Sequence, residues 1–307
     1  MALKFSLQLP TDRVDQLGEF GTAEAIAEIA RATEVAGYDA CFVTEHPFPS
    51  DDWLATGGHH ALDPFVSLAV AAGATESLLL HTNLLVLAYR NPFLTAKAVA
   101  SLDAVSGGRV IMGVGAGYLE GEFAALGADF ANRNDVTDDA LRAIKAAWTG
   151  DSVALSGAGF DAAGNTMAPP PAQRPHPPIW IGGNSPRARR RAVDFAQGWS
   201  PMPLPAAGTA RTRTSAIESV EDLGAAIGKM NENAEQQGRT EPLDVNFVPF
   251  GLHMNTRKLP ADDSIREQLA ALEEVGVTWV TIGLPPCDRA EYLDRIARFA
   301  ERFLPSR

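Results

Sequence analysis

Only two cysteines occur in 307 residues, Cys41 and Cys287, far apart and in no Cys-x-x-Cys spacing. That excludes a disulfide framework and a cysteine-built zinc cluster. No run approaches the ~20 uninterrupted apolar residues that crossing a bilayer requires. The N-terminus, MALKFSLQLP, has no basic region followed by a long apolar stretch, so it does not read as a signal peptide. A cytoplasmic location without a membrane partner is the expectation. Positive charge is in deficit too: 26 Lys and Arg against 38 Asp and Glu leave a net charge of −12. Nucleic acids are bound largely by neutralising phosphates with Lys and Arg, so no nucleic-acid partner is expected. A polybasic helix for a membrane surface is likewise missing.

What is present is a regular alternation of strand-like and helix-like segments, read as one domain over residues 1–307. Short apolar runs at Lys4–Leu9, Asp39–Thr44, Leu78–Leu87, Arg109–Gly115, Pro178–Ile181, Gly198–Ser200, Val245–Leu252 and Val277–Ile282 predict eight strands. Between them lie helical patterns. Ile26, Ile29, Ala30 and Thr33 fall on one face before Gly37, and Asp63-Pro64 and Asn91-Pro92 supply a cap with a first-turn proline. A long helical region is expected up to about Trp148. Further helices are expected from Ser185, over Ser219–Gln237, from an Asp262-Asp263-Ser264 cap, and over Arg289–Phe303. Residues 151–177, rich in Gly, Ala and Pro, read as an irregular surface insertion. The strands are continuous apolar runs, as when both faces are covered. Eight strand–helix repeats predict a parallel sheet closed into an α/β TIM barrel with insertions. An open sheet of seven or nine strands is the competitor.

A barrel of this kind works at the C-terminal ends of its strands. Strand two ends in Glu45-His46, strand three in Asn83 and then Tyr89-Arg90, strand four in Gly113 to Tyr118, and strand five in Gly182-Gly183-Asn184-Ser185. Two glycines before a helix start let backbone approach a ligand, and the free N–H groups there favour an anion. Arg187, Arg189, Arg190 and Arg191 follow. Cations at a helix N-terminus oppose the macrodipole by a few tenths to ~1 kcal/mol each, so their presence fits a bound phosphate. A solvated helix face is the plain alternative. All four cannot face one ligand, because they are spread around the helix. His46 stands at a strand end and can move a proton near neutrality; a structural histidine satisfied by Glu45 is the alternative. No metal is expected, because no His-x-His occurs on strand one and His59-His60 are adjacent, pointing apart on a strand. The Gly-x-Gly-x-Gly of residues 113–117 is a poor dinucleotide fingerprint, yet it leaves clearance for a flat ring.

With these residues in view, the chain resembles the bacterial luciferase-like monooxygenases, on the branch that uses the deazaflavin coenzyme F420. The resemblance is carried by FSLQLP (5–10), GYDACFVTEH (37–46), HTNLLVLAYRNP (81–92), LDAVSGGRVIMGVGAGYLEGEFAALG (102–127) and PIWIGGNSPRARRRA (178–192), in this order. It implies a β/α barrel with a mid-barrel insertion and a homodimer. It implies a catalytic pair at Glu45 and His46, with His46 beside the ring. It also implies a non-prolyl cis peptide at Asn83-Leu84 behind the ring. Gly115, Ala116, Gly117 and Tyr118 would line the ring and its chain, and Gly182, Gly183, Asn184, Ser185 and Arg187 would meet the phosphate. One departure stands out. Tyr118 occupies the place where the family's sugar-phosphate dehydrogenases carry an acid, which weakens a sugar-phosphate substrate. Glu120 and Glu122 belong to a Glu-Phe pattern that reads as a helix cap or brace.

The expected activity is hydride transfer between the deazaflavin and a small-molecule substrate in a pocket built from Phe48, Trp53, His60 and Trp199. An FMN-dependent monooxygenase using oxygen, and a catalytically silent flavin-binding barrel, are the alternatives.

Overall fold

A computed structural model describes residues 2–253, 256–285 and 287–305. In chain order its strands and helices are β1 (Lys4–Gln8), α1 (Leu17–Phe20), α2 (Ala23–Val35), β2 (Ala40–Val43), α3 (Asp51–Ala55), α4 (Pro64–Ala74), β3 (Leu79–Val86), α5 (Pro92–Val105), β4 (Val110–Gly115), α6 (Glu120–Ala125) and α7 (Arg133–Trp148). Then come β5 (Val153–Gly157), β6 (Phe160–Asn165), β7 (Ile179–Gly182), α8 (Pro186–Phe195), β8 (Gly198–Ser200), α9 (Thr209–Thr212), α10 (Val220–Gln236), β9 (Asp244–Phe247), α11 (Asp262–Glu274), β10 (Trp279–Ile282) and α12 (Arg289–Phe303). Eight parallel strands close in the order β1-β10-β9-β8-β7-β4-β3-β2. The barrel is therefore the one expected from the eight repeats.

The local causes are visible. Asp63 and Asn91 each accept two backbone N–H bonds as N-caps, with Pro64 and Pro92 in the first turn, and Ser185 caps α8 ahead of Pro186. Four expectations need correction. Strand β9 stops at Phe247, not Leu252, because the chain turns at Pro249, with Leu252 N–H bonded to the Pro249 carbonyl and Gly251 at φ +78°. The long helix after β4 is two, α6 and α7, parted around Gly127 (φ +68°). The N-cap of α11 is Ala261, and Asp262 and Asp263 lie in its first turn. The insertion at 151–177 contains the antiparallel hairpin β5–β6, anchored by Phe160 packing edge-on to Phe93 at 5.3 Å.

The contents of the barrel differ between its two ends. One set of strand side chains, among them Leu7, Val43, Leu80, Val114, Ile181 and Ile282, packs into the main core with the helices. The alternate set faces the barrel axis. Near the N-terminal ends it is bulky: Ala40, Leu79, Ile111, Trp180 and Trp279 form their own cluster. Two residues further along the same strands stand His81, Gly113, Gly182 and Thr281, joined by Ser6 of β1, Ser200 of β8 and Asn246 of β9. Thr281 donates to Asn246 (2.7 Å) and Asn246 to Ser200 (2.9 Å), so the β8–β9–β10 part of this layer is small, polar and internally bonded. Tryptophans plug the bottom, while toward the C-terminal mouth the inward set is mostly glycine, serine and threonine, with His81 and Phe42 (ring centroids 6.3 Å apart) as its large members.

Candidate active site

Glu45 and His46 leave the end of β2 and part company. Glu45 is 4% exposed. One of its oxygens accepts from Arg90 Nε at 2.7 Å and also from the Arg90 terminal nitrogen, and the other accepts the Val86 N–H at 2.7 Å. Burial pushes its carboxyl up, and Arg90 pulls it back. Both oxygens are thus spent on holding the β2 exit to the β3 exit. Glu45, expected to be catalytic, is a brace. Breaking a buried pair strands a charge, so Arg90→Gln should cost about 3 kcal/mol. A chemical-denaturation midpoint unchanged from wild type would refute that.

His46 turns into the mouth. Its ring lies 4.4 Å from Trp53 and 4.8 Å from His59, and its Nδ1 is 3.4 Å from Glu122 Oε2. Glu122 comes from α6 and its side chain is fully buried. It also accepts the Tyr89 hydroxyl at 2.8 Å and the Phe48 N–H at 3.0 Å. Burial disfavours its charge, yet hydrogen bonds from His46, Tyr89 and Phe48 hold it below the usual carboxylate range. Burial and the hydrogen bond to Glu122 push the Tyr89 phenol far up, so it stays a donor. Burial also lowers His59 to about 4, leaving it neutral. From sequence, Glu122 reads only as a helix cap or brace, Tyr89 only as part of the strand-three exit and His59 only as an unsuitable metal ligand; nothing there places any of them beside His46. The available signal was an acid placed directly before the buried Phe123 in a helix of six residues.

The floor comes from β3, β4 and β7. The β3–β4 register shifts between Thr82 and Leu85, and the Asn83-Leu84 peptide is cis, as the family resemblance implied. Leu84 lies across three glycines: an added Cβ would come within 2.9 Å of it at Gly113, 3.5 Å at Gly115 and 2.0 Å at Gly182. Past Gly115 and Ala116, Gly117 takes φ +79°, and a Cβ there would strike Phe123 and Val86 at 2.7 Å. Tyr118 is half-buried, and burial raises its phenol against the pull of Arg211.

At the end of β7 stands the glycine turn. Gly183 has φ +99°, a conformation that suits glycine. Asn184 is fully buried and bonds Met202 and Ser215, while its N–H goes to Thr214 Oγ1 at 2.8 Å. Its side chain therefore fastens the 201–218 segment and is not offered to a ligand. Ser185 Oγ takes the Ala188 N–H. At this turn the helix start presents first-turn backbone N–H groups, those of Ser185 and Arg187 among them.

Three further expectations change. Arg187 points away, paired with Asp135 and Asp138 of α7, and Arg191 joins Asp138. The arginine at the turn is Arg189, 2.9 Å from the Asn184 carbonyl. Trp199 is fully buried and donates to the Gly183 carbonyl at 2.8 Å, so it supports the turn from behind and lines no pocket. His60 is exposed and gives only its carbonyl, to His59 Nδ1, while His59 reaches His46. Trp53 lies against His46, and Phe48 is 67% exposed at the rim. Arg211 bonds Thr56 and Arg213 pairs with Glu120, tying the 201–218 segment to the end of α3 and to α6. Among the described residues no group of three His, Cys, Asp or Glu could hold a metal ion, and no helix is long and apolar enough to cross a membrane.

Known proteins are similar to this chain in sequence and in fold. F420-dependent glucose-6-phosphate dehydrogenase of Beutenbergia cavernae is 28% identical over 316 residues, covering 89% of this chain and 90% of that one. A monooxygenase from Streptomyces bottropensis superposes with a TM-score of 0.77 at 19% identity, covering 99% of both chains. The FMN-bound oxygenating constituent of 3,6-diketocamphane monooxygenase from Pseudomonas putida gives 0.75 at 16% identity and 98% of both. The luciferase-like monooxygenase family description matches residues 3–250, and the chain belongs to that family.

Proposed function

We propose that the chain is an F420-dependent oxidoreductase that passes hydride between the deazaflavin and a small organic substrate. The observation that carries this reading is the floor. The exits of β2 and β7 are separated in the barrel order only by β3 and β4. What those two strands present between His46 and the Ser185 turn is Leu84 over Gly113 and Gly115. A planar ring needs such a smooth, apolar seat, and a Cβ at Gly113 or Gly182 would fill it or displace Leu84 into it.

Bound there, the deazaflavin supplies a carbon centre that moves two electrons as hydride. The chain supplies the rest. Leu84 and the backbone of Asn83, Gly115, Ala116 and Gly117 bear the ring. Gly182, Gly183 and the N–H groups of Ser185 and Arg187 take the phosphate. Arg189, Arg211 and Arg213 put positive charge along the rim, in a chain of net charge −12, where an acidic tail would run. His46 exchanges a proton with the substrate, and Trp53, His59 and Phe48 form its apolar wall. The full-length relative with an F420 name supports the deazaflavin over FMN.

The experiment is a fluorescence titration of the protein with F420 and with FMN at low salt, paired with an oxygen electrode. F420 should bind at least about tenfold more tightly, about 1.4 kcal/mol. Reduced FMN should support no substrate-dependent oxygen uptake. Absence of F420 binding sinks the proposal, and oxygen uptake with FMN transfers it to the monooxygenase reading.

A further inference from the structure

We infer that Glu122 is a positioning residue that fixes the proton of neutral His46 on Nδ1 and leaves Nε2 as the atom that meets the substrate. The role given to Nε2 rests on the reading of His46 as the proton-handling group; the placement of the proton does not. An ionised carboxylate can only accept hydrogen bonds. Glu122 Oε1 is taken by the Phe48 N–H at 3.0 Å and Oε2 by the Tyr89 hydroxyl at 2.8 Å, leaving His46 Nδ1 as its third neighbour at 3.4 Å. With the proton on Nε2, the Nδ1 lone pair would face a fully buried carboxylate oxygen. Two acceptors opposed in a dry site repel, and a donor there is favoured. Packing holds the ring in this pose, with Trp53 at 4.4 Å and His59 at 4.8 Å. Among the described residues nothing hydrogen-bonds Nε2, and the side chain keeps 13% of its surface open.

Proton movement then has a direction. A substrate O–H bond breaks as an Nε2–H bond forms, and the positive charge left on the imidazole ring faces the Glu122 carboxylate. In the reverse sense the same proton returns to a substrate oxygen. Glu122, whose oxygens are taken up by Phe48, Tyr89 and His46, acts only through the histidine. It orients the histidine and balances its charge, in the way a carboxylate orients a histidine base in hydrolytic triads.

The test reads the proton directly. In protein labelled with 15N-histidine, long-range 1H–15N spectra distinguish protonated from unprotonated ring nitrogens. The His46 signals are assigned by their loss in His46→Gln. At a pH where His46 is neutral, wild type should show Nδ1 protonated and Nε2 bare. Glu122→Gln should invert the pattern. The Phe48 N–H, fixed in the backbone, requires the amide oxygen on its side, which turns the amide NH2 toward Nδ1. Tyr89→Phe, which leaves the carboxylate in place, should retain Nδ1–H. A wild-type His46 with its proton on Nε2 overturns the inference without any variant. So does a Glu122→Gln spectrum that keeps Nδ1 protonated, or a Tyr89→Phe spectrum that inverts. F420 titration of the same samples separates the two ideas: no binding with Nδ1 protonated defeats the cofactor reading and leaves this one standing.

Discussion

Gly182→Ala is expected to weaken F420 binding by at least about tenfold while barely moving the melting temperature, and Gly113→Ala is expected to do the reverse of the second part. The two glycines stand on neighbouring strands, Gly113 paired with Trp180 two residues before Gly182, and both lie against the same leucine. At Gly182 the new methyl would meet Leu84 Cδ1 at 2.0 Å, which is the free end of a flexible side chain. Leu84 can rotate away at small cost, and the open direction is upward, into the volume a ring would occupy. At Gly113 the new methyl would meet the Thr82 carbonyl oxygen at 2.2 Å, with His81 Nε2 at 3.0 Å. That oxygen belongs to the backbone and accepts no side step. Overpacking against a rigid wall costs on the order of 3 kcal/mol. At about 2 to 4 °C per kcal/mol for a chain of this class, the loss in Tm is roughly 6 to 12 °C. A thermal melt and an F420 titration on each variant decide the matter. Unchanged affinity in Gly182→Ala would mean that Leu84 does not border the ring, and the seat proposed for it would be wrong.

The contrast between these glycines also shows how far the sequence could be read. Helix starts were legible because their causes are local: Asp63-Pro64, Asn91-Pro92 and Ser185-Pro186 each carry cap and first turn in two adjacent residues. The barrel was legible because its strands are buried on both faces and read as apolar runs. The β5–β6 hairpin was not, since VALSG and FDAAGN contain little of the β-branched and aromatic content that marks a strand. In the site, His46 was found from its place at a strand end. Its partner was not, because Glu122 lies 76 residues on and meets it only once β2, β3 and β4 are laid side by side. Arg187 and Arg189 could not be told apart for the same reason. Two residues apart on a helix they face different neighbours, and the acids that claim Arg187 stand on α7, about 50 residues earlier.

Acid should unfold the wild-type protein sooner than His81→Leu, and the gap should widen steadily below pH 6.5. His81 sits on the barrel axis, fully buried, with Trp180 edge-on at 4.8 Å and Ser6 Oγ 3.5 Å from its Nδ1. Its Nε2 has no hydrogen-bond partner. Burial alone lowers it from 6.5 to about 3. The sign follows from proton counting: between those two values the unfolded chain binds one proton that the folded chain refuses. Stability therefore rises with pH across this window, and on acidification it is lost at ~1.4 kcal/mol per unit. Above 6.5 both states are neutral and the group contributes no slope. At pH 4.5 the accumulated loss is roughly 3 kcal/mol, a large share of a typical domain's stability. Leucine fills a similar volume, carries no proton and removes the unpartnered nitrogen. At pH 8 the variant should lie within about 1 kcal/mol of wild type. His59, lowered to about 4, loses stability in the same direction, and Glu122 and Asp138, held low, add losses below the ordinary carboxylate range. These groups are common to both proteins and cancel in the difference, so the comparison isolates one imidazole. Urea denaturation of both proteins from pH 8 to pH 4.5 measures it. Parallel stability curves would show that His81 accepts a proton inside the folded barrel, which would require water to reach the layer beneath Gly113 and would remove the dry floor on which the ring is proposed to rest.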